Sequence, residues 1–142
     1  LAPDPAVMAE VPYFALHPLG LERRRAEVLR RVAEIIAARP RATPEAQLAA
    51  VAGVRGIGPW TMAEARRVAL GDPDAVSVGD YHVPSLVAFA LVGERRADDA
   101  RMLELLAPYA GQRGRVQRLL EVGAPLPPRR GPRRAPRDIG GM

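Results

Sequence analysis

The stretch VAGVRGIGPWTMAEARRVALGDPDAVSVGD, residues 51–80, decides the fold of this chain. A glycine-rich turn near its start separates two segments whose apolar residues recur at helical spacing, which predicts a helix, a tight hairpin and a second helix. Gly56 and Gly58 can both adopt positive φ and allow close approach to the backbone, while Ile57 between them can anchor the turn in a core. Pro59 suits the first position of the second helix, because its missing N–H would be unpaired there.

The hairpin turn is a candidate phosphate site. Backbone amides at the start of a helix lack partners within the helix and carry the positive end of its dipole, and glycine removes side-chain obstruction. Trp60 follows the turn and is the only tryptophan of the chain. It is either a core anchor or a partly exposed ring, and its position beside the turn favours a ring that can stack on a base.

Asp80 is the candidate acid. It follows Trp60 by twenty residues, behind a loop of Gly, Pro and Asp, where the next helix is expected to begin. Aspartate commonly caps a helix there, and a cap is compatible with chemistry because the dipole and the amides keep the carboxylate ionised. His82 lies two residues further on, so its side chain points elsewhere, which argues against an Asp–His dyad. Tyr81 and His17 are interpreted as packing residues.

The composition fits one helical domain. A chain of 142 residues with 48% hydrophobic residues can bury a core, and few aromatics (4%) among many Ala, Val and Leu favour helices over a β-sandwich. Cysteine is absent and no His, Asp or Glu cluster has metal spacing, so no metal site is expected. Lysine is absent too, which excludes a Schiff base on a side chain. No apolar run approaches membrane-spanning length and no signal peptide is recognised, which predicts a soluble cytoplasmic protein.

The net charge of +5 is a weak indicator of nucleic-acid binding, because its distribution is uneven. Residues 123–142 carry five arginines and one aspartate, which leaves the remainder nearly neutral. The first long helix carries Arg23, Arg24, Arg30 and Arg31 among glutamates. A solvated face with pairing between successive turns is the favoured interpretation, and a phosphate-contacting face is the alternative.

Helical spacing and chain breakers predict an all-α fold. The expected helices are Leu21–Arg39, Pro44–Ala52, Pro59–Leu70, Tyr81–Leu91, Ala97–Leu106 and Gln112–Val122. Proline spacing allows at most one short helix before them, near Asp4–Glu10. From Gly123 onward the chain is rich in Pro, Arg and Gly without an apolar period, which predicts an extended or disordered tail.

The helix Pro59–Leu70 has an expected inward face and an expected outward face. The inward residues are Met62, Ala65, Val68 and Ala69, and the outward residues are Glu64, Arg66 and Arg67. This assignment follows from helical periodicity alone.

The segment LAAVAGVRGIGPWTMAEARRVALGDPDAVSVGD resembles the helix-hairpin-helix and Gly/Pro-Asp signature of DNA glycosylases of the 3-methyladenine DNA glycosylase II type. The combination of hairpin, tryptophan and terminal aspartate at this separation is specific, unlike any one part of it. The similarity continues in HPLGLERRRAEVLRRVA, VSVGDYHVPSLVAFALVGE and PYAGQRGRVQRLLE, and with the PRRGPRRAPR tail it indicates a bacterial, actinobacterial branch of that family.

The resemblance implies an all-α helix-hairpin-helix catalytic domain that binds double-stranded DNA as a monomer and flips a damaged base out of the duplex. Asp80 matches the catalytic carboxylate of the family, and Trp60 stands where bifunctional relatives have lysine. A monofunctional enzyme is therefore implied, which releases an alkylated base and leaves the strand uncut. The residues that would contact the DNA backbone are Arg55, Gly56, Ile57, Gly58 and Thr61. No cofactor is implied as required, although family members often hold a monovalent cation through hairpin carbonyls.

Two departures from the family pattern matter. Arg55 stands where the family hairpin often has proline, which either adds a phosphate contact or alters the turn. Residues 1–122 match only the C-terminal part of the catalytic domain, with residues 123–142 as the tail, so an N-terminal portion that supplies other helices and much of the base pocket is expected upstream. The missing wall of that pocket would select the lesion.

Two other functions remain open at this point. One is a non-catalytic helix-hairpin-helix module that binds the DNA backbone without chemistry. The other is a helical protein-interaction domain that never meets nucleic acid, for which no salt-dependent binding to duplex DNA is expected.

Overall fold

The computed structural model describes residues 3–125. Eight α-helices span that part of the chain: α1 (Pro5–Glu10), α2 (Tyr13–Leu16), α3 (Arg23–Ala37), α4 (Pro44–Val51), α5 (Pro59–Leu70), α6 (Val83–Val92), α7 (Asp99–Leu106) and α8 (Arg113–Gly123). Short 3-10 turns, His17–Leu19 and Ala107–Tyr109, follow α2 and α7. No strand occurs among residues 3–125, which confirms the all-α prediction. The predicted tail lies outside the described residues from 126 onward, and α8 ends one residue beyond the expected boundary at 122.

The main core joins the C-terminal helices. Its fully buried members are Val87 on α6 and Met102 and Leu106 on α7, with Val116 and Leu120 of α8 packed against them. Each such side chain stabilises the fold by about 1.5–3 kcal/mol. At the other end α3 packs against α1 and α4, and α4 packs against α5. The hairpin therefore lies between an N-terminal helical layer and the C-terminal core.

Two helices begin where the sequence provides a capping residue. Thr43 caps α4, with its hydroxyl oxygen accepting the Ala46 N–H at 3.3 Å, and Asp98 caps α7 through the Arg101 N–H at 2.9 Å. The helix α5 matches its predicted bounds, and Gly71 ends it with φ of 63°. The Thr43 and Asp98 caps each contribute about 1 kcal/mol to the stability of the fold.

The prediction of at most one N-terminal helix is wrong, because α2 follows α1 directly. Pro12 stands at the N-cap of α2, and Pro18 lies in the first turn of the following 3-10 segment. A proline at such a position costs no hydrogen bond, because the N–H it lacks would be unpaired there. The prolines therefore show where these short elements begin, and they do not exclude helices from this segment.

The predicted faces of α5 are partly wrong. Val68 is 75% exposed and Ala69 is exposed as well, whereas Ala63 is buried. Glu64 and Arg67 were expected to face outward, yet both are only partly exposed. The reason is the loop that follows α5, because it packs on the face that carries Glu64.

The 72–79 loop, which begins after the Gly71 cap of α5 and ends before Asp80, is fastened to α8. The Asp74 carboxylate accepts the Arg113 side-chain Nε–H and the Arg113 backbone N–H, both at 2.9 Å, and its second oxygen pairs with the same guanidinium. The Arg115 N–H donates to the Pro73 carbonyl at 2.8 Å. The hydrogen bonds from Arg113 hold the pKa of Asp74 far below its usual range.

The Asp74–Arg113 pair is expected to make stability depend on pH. Because the folded-state pKa of Asp74 is depressed, its stabilisation is complete above the unfolded pKa of about 3.9 and is lost as the pH falls toward the folded value. Asp74→Asn is expected to be less stable than the wild type at pH 7, and the difference should shrink toward pH 2. Urea unfolding at both pH values measures it.

The matched control is Glu22→Gln, because Glu22 pairs with Arg25 at 3.9 Å through exposed side chains. This variant should unfold like the wild type at either pH. A pH-independent difference for Asp74→Asn would contradict the role assigned to the ion pair.

Candidate active site

The hairpin between α4 and α5 consists of two consecutive tight turns. The Val54 N–H donates to the Val51 carbonyl at 3.0 Å, and the Ile57 N–H donates to the Val54 carbonyl at 2.9 Å. Gly56 has φ of 106°, and a Cβ there would lie 2.7 Å from Cγ2 of Val28 on α3. Glycine is therefore required at position 56 both by the backbone and by close packing.

Gly58 does not use the positive φ that was open to both hairpin glycines. Its φ is −101° and its ψ is 179°, so it is the extended N-cap residue of α5. A Cβ at this position would meet nothing within 4 Å. The fold itself therefore imposes no need for glycine at 58, and the open space outside the backbone is available to a ligand.

The start of α5 presents free backbone donors to that space. Among residues 3–125, no acceptor is found for the N–H groups of Gly58, Trp60 and Thr61, and Pro59 has none to donate. The first N–H of this helix with a partner is that of Met62, which donates to the Gly58 carbonyl at 3.0 Å. Unpaired amides at the positive end of a helix dipole can bind an oxyanion such as a phosphate.

Asp80 lies at the end of the 72–79 loop, just before α6. Its Oδ1 accepts the His82 N–H at 2.7 Å and the Val83 N–H at 3.0 Å. Because the Asp80 carboxylate accepts these two N–H groups, the chain from Asp80 to His82 forms a side-chain-to-backbone turn. The helix α6 therefore begins at Val83 and not at the predicted Tyr81. The carboxylate therefore satisfies the N–H groups of the N-cap residue His82 and of Val83, the first residue of α6, while remaining only partly buried.

The pKa of Asp80 is shifted by opposing effects. Partial burial raises it, whereas the amides of His82 and Val83 and the indole of Trp60 lower it by hydrogen bonding. The net result is a pKa below that of an ordinary aspartate. Asp80 is therefore an anion at neutral pH, held by two backbone donors.

The structure brings Trp60 and Asp80 together. The indole interacts with the Asp80 carboxylate, and a Cβ on the neighbouring Gly79 would lie 4.0 Å from Cβ of Trp60. The Trp60 side chain is 45% exposed, so it is not the core anchor that was the alternative interpretation. An anionic group and an exposed aromatic face thus adjoin the free amides of α5.

Tyr81 and His17 are not the packing residues that the sequence predicts, because both are exposed. Tyr81 is 89% exposed, and its ring meets His82 edge to face with centroids 4.8 Å apart. His17 is exposed and its Nδ1 lies 3.0 Å from the Tyr13 hydroxyl. Among the described residues no hydrogen bond joins the His82 ring to Asp80.

Arg55 is exposed on the hairpin and borders an open groove of about 680 Å³ between α3 and the hairpin. Arg24 and Arg31 of α3 line the same groove. Arg23 pairs with Glu27, four residues on, at 3.0 Å through exposed side chains, as the solvated-face interpretation predicts, and Arg31 pairs with Glu34, three residues on, at 3.0 Å. Arg30 is an exception on that helix, because its Nε–H donates to the Ala9 carbonyl of α1 at 3.1 Å.

Three residues that sequence reasoning missed hold the Asp80 segment in place: Ser77, Asp99 and Gln117. The Asp99 carboxylate accepts the Gly79 N–H at 3.0 and 3.1 Å through its two oxygens. Ser77 bonds to Gln117 across 40 residues of sequence. No local pattern signals such contacts, because each joins a loop to a helix far away in the chain.

The hairpin carries suitable atoms for the monovalent cation that the resemblance implies. Among the described residues, the carbonyls of Gly53, Arg55 and Ile57 accept no hydrogen bond, whereas those of Val51 and Val54 do. Free backbone carbonyls are ligands that can replace the hydration shell of such an ion. A bound cation would add positive charge beside the amides. No group of three or more His, Asp or Glu side chains that could hold a metal is found between residues 3 and 125.

No protein-family model, curated protein or solved structure matches the chain. The glycosylase resemblance therefore stays a prediction from the sequence motif. Within the described part of the chain, none of the helices combines the length and the apolar character needed to cross a membrane.

Proposed function

We propose that the protein is a monofunctional DNA glycosylase that flips an alkylated base of the 3-methyladenine type out of duplex DNA and releases it by hydrolysis. One observation supports this function above the others: an ionised carboxylate, Asp80, lies against a half-exposed indole, Trp60, next to a hairpin with free amides. Acid, aromatic ring and phosphate site are the parts that such a reaction requires.

The chemistry follows from the charge that develops on the sugar. When the bond between C1′ and the base nitrogen breaks, the electron pair leaves with the base and positive charge builds on the deoxyribose, as in glycoside hydrolysis. Asp80 stabilises that charge and orients the water that adds to C1′, and the added water releases its proton to the surrounding solvent. Trp60 stands where bifunctional relatives have lysine and these 142 residues contain no lysine, so in this proposal water is the nucleophile and the strand stays intact.

The Trp60 ring explains why the proposed substrate is a cationic, N-alkylated base. An N-alkylated purine is already cationic, so it leaves without a general acid. The electron-rich face of Trp60 favours a cationic base over a neutral one. Because the ring is 45% exposed, a flipped base can reach its face.

The hairpin would hold the DNA backbone beside this pair. The free amides of Gly58, Trp60 and Thr61 suit a phosphate oxygen, and Arg55 adds a positive charge at the edge of the same turn. Gripping the backbone near the target nucleotide offsets the few kcal/mol that extrusion of a base costs.

The direct test uses full-length protein and duplex DNA that contains methylated purines. Free methylated base is expected in solution, measured by chromatography, together with abasic sites. Strand breaks should appear only after alkali treatment. Breaks without alkali would contradict the monofunctional mechanism, and the absence of any free base would contradict the glycosylase.

Gly58→Ala is expected to separate DNA binding from stability. Since a Cβ there meets nothing within 4 Å and φ is negative, stability should change by less than about 1 kcal/mol. A methyl group among the free amides should weaken DNA binding about tenfold, equivalent to about 1.4 kcal/mol. Fluorescence anisotropy with labelled duplex measures the affinity.

The control is Gly123→Ala, which also meets nothing within 4 Å but lies at the end of α8, outside the hairpin. It should bind DNA like the wild type. Equal affinities for all three proteins would show that no phosphate approaches Gly58.

The second candidate function is a DNA-backbone-binding module without chemistry. It is favoured by the two backbone bonds to the Asp80 carboxylate, because capping α6 is by itself a sufficient role for that residue. Such a module would bind duplex DNA with an affinity that falls as salt rises, and would release no base. A protein-interaction domain would not bind duplex DNA in this salt-dependent way and would also release no base.

A further inference from the structure

Ser77 and Gln117 are the buried polar side chains of the described residues, with relative exposures of 2% and 3%. They bond to each other twice. The Ser77 N–H donates to Oε1 of Gln117 at 2.9 Å, and Nε2 of Gln117 donates to the Ser77 hydroxyl at 2.9 Å. One amide side chain on α8 thus satisfies both the backbone and the side chain of one loop residue.

The pair belongs to a satisfied polar network. The Ser77 hydroxyl donates to Oε1 of Glu64 on α5 at 2.7 Å, and Gln117 donates to Oε1 of Glu121 at 2.6 Å. Within residues 3–125, no buried side-chain polar atom lacks a partner. Hydrogen bonds from Arg67 and Ser77 lower the pKa of Glu64, so the acceptor at the end of the network is anionic. A fully satisfied network of this kind fixes one geometry.

The network continues to the candidate acid. The Ser77 carbonyl accepts the Asp80 N–H at 3.3 Å and closes a turn of four residues. Within that turn, the Gly79 N–H is held by Asp99 of α7. The turn that carries Asp80 is therefore fixed at Ser77 by α5 and α8 and at Gly79 by α7.

We propose that Gln117 and Ser77 are positioning residues that set the backbone of the Ser77–Asp80 turn and so aim the Asp80 carboxylate beside Trp60. For its catalytic consequence this inference rests on the proposed glycosylase function. An apolar pair could fill the same volume. It could not hold the Ser77 N–H, which has no partner in regular secondary structure.

The test compares Gln117→Met, which keeps the length of the side chain without its polar atoms, with the milder Ser77→Ala. Trp60 is the only tryptophan and adjoins this turn, so its fluorescence reports the position of the turn without any assay of activity. Both variants are expected to shift the Trp60 emission maximum and to change its quenching by acrylamide.

Single-turnover base release should fall about 10- to 100-fold for Gln117→Met, as expected for a catalytic group misplaced by about 1 Å. Affinity for duplex DNA should stay within about twofold, because the hairpin amides are untouched.

Leu120→Ala is the matched control, since it weakens the packing of α8 and removes none of the hydrogen bonds that join Ser77 to Gln117 and Glu64. Its melting temperature should fall while the Trp60 emission and base release stay at wild-type values.

Unchanged Trp60 fluorescence and base release in both Gln117→Met and Ser77→Ala would overturn the positioning role. If Gln117→Met does not fold, Ser77→Ala alone decides by the same two readouts. If the wild type releases no base, the glycosylase function fails, and the fluorescence still supports or overturns the placement of the turn.

Discussion

Asp80→Asn is expected to lower the rate of base release by about 10²–10⁴-fold, the range for loss of a positioned acid or base group. Asparagine retains an oxygen in place of Oδ1, so it can still accept the His82 and Val83 amides and cap α6. What disappears is the negative charge that faces the sugar in the proposed mechanism. The rate is measured under single-turnover conditions on duplex DNA with a methylated purine, and the affinity for the same DNA should be nearly unchanged.

The matched control is Asp98→Asn, which makes the same chemical change at the N-cap of α7. It should release base at the wild-type rate, because Asp98 caps a helix away from the hairpin. Undiminished release by Asp80→Asn would assign Asp80 to capping alone and favour the DNA-binding module.

Gly114→Ala is expected to cause the largest loss of stability. Gly114 lies buried in the first turn of α8, and a Cβ there would stand 2.2 Å from the Ala75 carbonyl oxygen and within 2.9 Å of two further backbone atoms of Ala75. Because the obstruction is backbone, α8 and the 72–79 loop must separate. We expect a loss of about 3 kcal/mol in the free energy of unfolding, at the upper end of overpacking effects. Urea denaturation measures it.

Gly123→Ala tests the same substitution in the same helix, where a Cβ would meet nothing within 4 Å. Alanine should be neutral or stabilising there by up to about 1 kcal/mol, owing to its higher helix propensity. If the two variants were equally stable, the close approach of α8 to the loop could not be a feature of the fold.

The sequence predicts the hairpin well because local chemistry determines it. Pro44, Pro59 and Gly71 mark helix ends through their own backbone restrictions, and the structure has those ends where the residues predict them. Gly56 takes the positive φ expected of it. Gly58 does not, because an extended N-cap residue leads into α5 without a left-handed turn.

The hydrogen bonds that hold the 72–79 loop cannot be predicted from the sequence, for a physical reason. The loop has no apolar period, and its partners Arg113, Gln117 and Asp99 lie 20 to 40 residues away. The sequence alone does not reveal that Glu64 would turn toward Ser77. The proximity of Asp80 to Trp60 likewise depends on these attachments, so spacing along the chain could not establish it.

The most direct measurement of the central claim uses two duplexes that differ at one sugar. One carries a cationic pyrrolidine in place of the target deoxyribose, and the other carries a neutral tetrahydrofuran. A site complementary to a cationic sugar binds a mimic of that charge more tightly than a neutral one. The wild type is expected to prefer the pyrrolidine duplex by at least about tenfold, or about 1.4 kcal/mol, and Asp80→Asn should lose that preference. Equal affinity of the wild type for both duplexes would contradict an Asp80 carboxylate that faces the reacting sugar.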